Sequence, residues 1–211
     1  MDEVIGAFFY GTLLHPKVLK RVIGNDGIHL QICPAVLLDY TRHHIKDCDY
    51  PGVVPYGKSR QLFDRDLSRE ERSVRGNLVL GLSKSDIDYL DVFEGDEYTK
   101  ETVQVYPLGA LEPINSPSQS VVPLSAAGLP NDLTNPVKAT VYIWSDSISR
   151  LVPELWSFDT FVRDNAWKWV GATEEEESYA EVDRRREMNG IIARDTTPAG
   201  EASVSPIGLS A

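Results

Sequence analysis

The stretch that most constrains this chain is VIGAFFYG, residues 4–11, a continuous apolar and aromatic run closed by Gly11. A strand with no polar side has no face to give to water, so it belongs in the centre of a sheet that is covered on both sides. The remaining elements must supply that cover. With 211 residues, the chain is long enough for one well-cored domain.

The elements that could do so follow in order. Val18, Leu19, Val22 and Ile23 fall at helical spacing within 15–23, with Pro16 suited to the first turn. Residues 35–45 have β character with mixed patterning, and 46–59 is turn-rich, punctuated by Pro51, Gly52, Pro55 and Gly57. Residues 75–82 alternate, placing Leu78, Leu80 and Leu82 on one face of a strand. Ser83 or Ser85 can cap a helix bearing Ile87, Leu90 and Phe93, which Gly95 stops. Strands are expected over 102–106 and over 137–144, where Val137, Ala139, Val141 and Ile143 point inward.

Between these last two lies 107–136, rich in proline, serine and asparagine, which reads as an exposed insertion in a domain spanning 1–188. Phe158, Phe161, Val162, Asn165 and Trp169 form a helical stripe suited to core packing, and a charged stretch follows over 174–188. Residues 189–211 lose all periodicity and read as a disordered tail.

Charge narrows the function classes. Twenty-one basic against thirty-two acidic side chains give a net charge of −11, which repels phosphate backbones and anionic lipid, so neither nucleic acid nor a membrane surface is an expected partner. Cys33 and Cys48 show no metal-ligand spacing and are expected as reduced thiols. The opening residues lack a basic start before a long apolar run, and the expected location is cytoplasmic.

Several stretches invite a chemical reading. GVVPYGKS, residues 52–59, spells a phosphate loop, but such a loop needs a buried strand before it and a helix opening from its lysine. Here HHIKDCDYP precedes it, and Pro55 and Tyr56 crowd the loop itself. His43, His44, Asp47, Cys48 and Asp49 offer metal-ligand chemistry, but adjacent strand histidines point to opposite faces and no second cluster completes a set, so no metal is expected.

Asp91, Glu94, Asp96 and Glu97 crowd the C-terminal end of the 83–94 helix. The helix dipole, neighbouring carboxylates and partial burial beside Phe93 all push a carboxyl pKa upward there, as a general base near neutral pH requires. A solvated acidic turn is the plain alternative. Tyr10, Gly11, Thr12 and Leu13 form a tight strand-to-helix turn whose backbone N–H groups can bind a carboxylate. A simple connection is the alternative there.

In order along the chain stand FFYGTL, DYPGVVP, RGNLVLGL, LDVFEGDEYTKETVQV, ATVYIW and WSFDTFVRDNAWKWV. Together they resemble the gamma-glutamylcyclotransferase-like family, in its avirulence-induced-gene-like branch, over most of residues 4–170. The resemblance implies an α+β fold, a small mixed β-barrel flanked by helices. It implies an acyl transfer that releases 5-oxoproline from a gamma-glutamyl peptide or amine without a cofactor. Glu94 matches the catalytic carboxylate, and Tyr10, Gly11, Thr12 and Leu13 match the substrate loop. Tyr50, Gly52 and Tyr98 match the cavity wall. Where family members often carry arginine this chain has Lys100, and the insertion is a second departure. The alternative is a small-molecule binding or interaction module on the same fold. The expected state is a monomer.

Overall fold

The computed structural model describes residues 5–48, 50–116 and 128–156. Its centre is β1 (Ile5–Phe9), flanked on one edge by β5 (Ser73–Leu82) and on the other by β8 (Val137–Trp144). From β8 the sheet continues through β6 (Tyr98–Pro107) to β2 (Gln31–Leu38), which pairs back onto β5 and closes a five-stranded barrel. The β1–β8 pairing is parallel and the others are antiparallel, so the barrel is mixed. Closure leaves β1 with no edge and both faces to bury.

Two cores meet on that strand. Phe8 joins Cys33, Ala35, Leu78, Val105 and Val141 to fill the barrel, while Ala7 and Phe9 face an outer layer. The outer layer is built by α1 (Pro16–Ile23), which buries Val18, Leu19, Val22 and Ile23, and α3 (Lys84–Glu94), which buries Leu90 and Phe93. Local chemistry marks the ends of both helices. Gly24 closes α1 in the left-handed region at φ 72°, and Ser83 opens α3 with a capping box in which Asp86 returns the bond.

Leu78 and Leu80 do pack toward the barrel core, but Leu82 lies in the outer one. The register explains this. Ile5 pairs with Leu82 and Gly6 with Leu80, which leaves Gly81 unpaired at φ 96° as a bulge that reverses the facing of the next residue.

A second sheet, β4 (Pro51–Pro55), β3 (Tyr40–Ile45) and β9 (Leu151–Leu155), leans on the barrel. The stretch 51–55, expected as turns, is therefore a strand. Its prolines are tolerated because β4 is an edge, with β3 as its one neighbour in that sheet. A single helical turn, α2 (Tyr56–Ser59), follows it. Similarly, β6 starts at Tyr98, earlier than its apolar residues suggest, because its pairing with β8 begins there, at Trp144.

The insertion is less detached than its composition implies. Leu108 N–H donates to the Pro34 carbonyl at 2.7 Å, β7 (Glu112–Pro113) pairs with β2, and Ile114 is buried in the outer core. At the other end Arg69 donates to the Pro130 carbonyl and Leu129 N–H donates to Glu70. The middle of the insertion, the aromatic stripe of 158–169, the charged stretch and the tail lie outside the described residues.

Under β3 runs a buried polar chain. His43 Nδ1 lies 2.8 Å from the Val152 carbonyl, which can only accept, so Nδ1 carries the proton. With the ring neutral, Nε2 accepts from Thr41 Oγ1 at 2.8 Å, and the Ser59 hydroxyl lies 2.6 Å further along.

Two outcomes follow from this packing. A Cβ on Gly76 would stand 2.2 Å from the Phe9 carbonyl oxygen, so Gly76→Ala should cost about 3 kcal/mol or more in denaturant unfolding. Burial holds the His43 imidazole below its ordinary 6.5, and burial also lowers His15 and His44. Groups held low bind protons more readily when unfolded, so their stabilisation is complete above pH 6.5 and lost as pH falls through the folded values. Melting temperature should therefore drop between neutral and mildly acidic pH, and less so in His43→Gln measured against its own neutral value.

Candidate active site

A cleft partly open to solvent forms where five segments meet. Tyr10, Gly11, Thr12 and Leu13 come from the turn leaving β1, Glu94 from the last residue of α3, and Tyr50 from just before β4. Tyr98 opens β6, and Tyr142 faces out of β8. Of the residues expected at a site, all but Gly52 line this cleft.

Gly52 sits behind it. A Cβ there would come within 3.2 Å of Trp144 and Leu151, so the missing side chain is the space into which Trp144 packs, and Trp144 in turn stands edge-on to Tyr98. The neighbouring Pro51 takes the lining position, and the backbone of Gly11 lies against the Pro51 ring, 3.1 Å from where its own Cβ would be. The two segments containing these glycines thus meet through a proline that packs tightly where a side chain at position 11 would begin. The rest of GVVPYGKS runs along an edge strand and one helical turn, with Lys58 exposed and away from the cleft.

The turn spends its carbonyls inward. Gly11 O accepts from Leu14 N–H at 3.0 Å, Thr12 O accepts from His15 N–H at 3.3 Å, and Tyr10 O accepts from Arg42 Nη1 at 2.6 Å. Thr12 and Leu13 begin a single 3-10 turn, where the first N–H groups have no carbonyl behind them to bond. The turn therefore presents donors rather than acceptors to whatever occupies the cleft.

The tyrosines are tied down by their hydroxyls. Tyr10 donates to the Tyr142 carbonyl at 2.5 Å, Tyr98 to the Pro51 carbonyl at 2.9 Å, Tyr50 to Glu97 at 3.1 Å, and Tyr142 to Asp91 at 2.8 Å. Burial, reinforced by the charge of Glu94, pushes the Tyr10 phenol well up. Burial, the bond to Asp91 and the charge of Glu94 push the Tyr142 phenol up as well. Both stay protonated, so neither can act as a base.

The acidic helix end is sorted by this arrangement into separate roles. Asp91 holds Tyr142 and pairs with Lys100 at 2.6 Å, so Lys100 acts as a wall tie. Glu97 holds Tyr50 and pairs with Arg150 at 2.5 Å, whose guanidinium lies over Trp144. Glu94 is the one carboxylate among the described residues that line the cleft, and no lysine, arginine or histidine joins it there. One carboxylate facing a set of N–H donors can move a proton beside a bound anion.

Tyr142, Phe93 and Pro51 were not anticipated at the site. A signal for Tyr142 existed, since it is the out-of-phase residue between the inward Val141 and Ile143. Of the residues with metal-ligand chemistry at 43–49, His43 has both ring nitrogens engaged inside the fold, and Asp49 lies outside the described residues.

Residues 7–158 match the family described as gamma-glutamyl cyclotransferase, AIG2-like. The chain is similar to protein AIG2 C of Arabidopsis thaliana, with 24% identity across 77% of this chain and 75% of that protein. Among solved structures it is similar to a solution structure of an Arabidopsis thaliana protein, at 20% identity and TM-score 0.49 over 98% of both chains. A yeast gamma-glutamyl cyclotransferase specific to glutathione superposes at 14% identity and TM-score 0.48, over 89% of this chain and 96% of that one.

The geometry makes a spectroscopic prediction. In an alkaline ultraviolet titration, Tyr10 and Tyr142 should remain un-ionised while exposed tyrosines titrate, and should ionise only with unfolding. Their raised values stabilise the fold below pH 10.0 and make that stabilisation disappear above it. Smooth ionisation of every tyrosine in folded protein would contradict this.

Proposed function

The chain belongs to the gamma-glutamyl cyclotransferase, AIG2-like family, and on that premise we propose that it releases 5-oxoproline from a gamma-glutamyl peptide or amine. The observation that carries the reading is that Glu94 and the donor turn of Tyr10–Leu13 line one cleft. A gamma-glutamyl group has an α-carboxylate, an α-amine and a side-chain carbonyl. The turn would take the carboxylate, which leaves the amine to face Glu94.

In the proposed reaction Glu94 removes a proton from the α-ammonium, and the freed nitrogen attacks the side-chain carbonyl carbon. The new C–N bond closes a five-membered ring, and the old C–N bond to the leaving amine breaks as the tetrahedral carbon collapses. Glu94 returns its proton to the leaving nitrogen, and the ring nitrogen sheds its second proton as it becomes the lactam N–H, so that both protons depart with the leaving amine as its ammonium. The sum is an acyl transfer within one molecule. It consumes no water and needs no oxidant. The amine and its carbonyl already share one molecule, so the cleft contributes by selecting the folded conformer, which saves about 2 kcal/mol of glutamyl side-chain entropy. The fixed tyrosine walls favour that folded conformer because none of them has to reorganise.

The test is a panel of gamma-glutamyl dipeptides, glutathione and gamma-glutamyl amines, with 5-oxoproline release as the readout. Glu94→Gln keeps shape and removes the base, and should lower kcat by about 10²–10⁴-fold without changing the melting temperature much. Full turnover in folded Glu94→Gln overturns the mechanism. No product from the whole panel with the unsubstituted protein would instead mark a binding module.

A further inference from the structure

The cleft combines a carboxylate of its own with a proposed carboxylate-bearing substrate, and among the described residues that line it none is basic. Two negative charges in a partly enclosed site repel each other unless something offsets them. A cation lies one peptide behind the turn. Arg42, in the middle of β3, directs Nη1 to the Tyr10 carbonyl oxygen at 2.6 Å and to the Arg75 carbonyl at 3.3 Å. Its guanidinium lies 4.6 Å from the centre of the Trp156 ring, stacked between that ring and the turn.

We propose that Arg42 is a positioning residue for the substrate carboxylate, acting through the Tyr10–Gly11 peptide rather than by touching the substrate. The peptide is trans, so its carbonyl and its N–H point to opposite sides. An oxygen held by a guanidinium at the rear fixes the Gly11 N–H on the far side, where Gly11 lines the cleft. The bond to a charged donor also polarises the peptide, so that the N–H carries more positive charge. The Tyr10 hydroxyl feels both ends of this field. Burial raises its pKa first, Glu94 raises it further, and Arg42 pulls it down. The inference rests on the gamma-glutamyl reading of the cleft, and it names the group that makes a carboxylate, and not an amide, the preferred occupant of the turn.

The experiment compares a gamma-glutamyl substrate with its α-carboxamide analogue in the unsubstituted protein, Arg42→Gln and Arg42→Lys. Arg42→Gln should raise KM for the carboxylate substrate about tenfold or more, with kcat within about threefold and KM for the carboxamide little changed. Arg42→Lys keeps the charge and should recover most of the loss. Equal losses for carboxylate and carboxamide would show a merely structural role and overturn the proposal. So would a loss confined to kcat.

Where Arg42→Gln does not fold, Arg42→Lys carries the test. Loss of the guanidinium fork should then lower the preference for carboxylate over carboxamide by about threefold, and an unchanged preference overturns the proposal. Where the unsubstituted protein releases no 5-oxoproline, the functional reading fails by itself, and 5-oxoproline serves as the binding probe, followed at the Gly11 amide by NMR. Weaker binding in the Arg42 variants still supports the proposal. Equal binding, or none to the unsubstituted protein, overturns it.

Discussion

Everything in this fold hangs on burying both faces of β1. Phe8 points into the barrel and Phe9 into the helical layer, and each removes an aromatic side chain from water, worth about 2–3 kcal/mol apiece. No open sheet with one wet side could accept such a strand. Closing β2 onto β5 and laying α1 and α3 outside satisfies both faces at once. The same strand then delivers Tyr10–Leu13 to the barrel end, where the end of α3 is held by its packing on the outer face of β1. The site is thus a consequence of how the central strand is covered.

Electrostatics in the cleft follows from how its carboxylates are distributed. Asp91 and Glu97 are each tied to a tyrosine and neutralised by a cation, so their charges stabilise walls. Burial keeps the tyrosines protonated. That leaves Glu94 as the lining carboxylate opposite a turn whose carbonyls face the other way. On the proposed reading, specificity for an anion is built from backbone with Arg42 behind it, which suits a chain whose net charge of −11 would otherwise discourage anionic ligands.

Much of this was legible in order along the chain. The helices at 16–23 and 84–94 announced themselves through spacing, Ser83 and the terminal glycines. The motifs that resemble the cyclotransferase family lie on the segments that line the cleft. What misled was local. Prolines made β4 look like a turn because its pairing with β3 is invisible in composition. Gly81 hid a bulge inside a clean alternation, so Leu82 faced the wrong way. A proline-rich insertion concealed Ile114, whose burial depends on the strand it happens to run beside.

By itself the sequence determined the strand that must be central, the helices that could cover it, and the residue types available for acid–base work. Those properties come from side-chain polarity and from spacing along the chain, which are local. Only the tertiary structure decided that Asp91 and Glu97 are tied to wall tyrosines, that Gly52 makes room for Trp144 behind the cleft, and that Arg42 reaches the Tyr10 carbonyl. Each depends on which distant backbone passes within hydrogen-bonding or packing distance, and no period in the chain encodes that proximity.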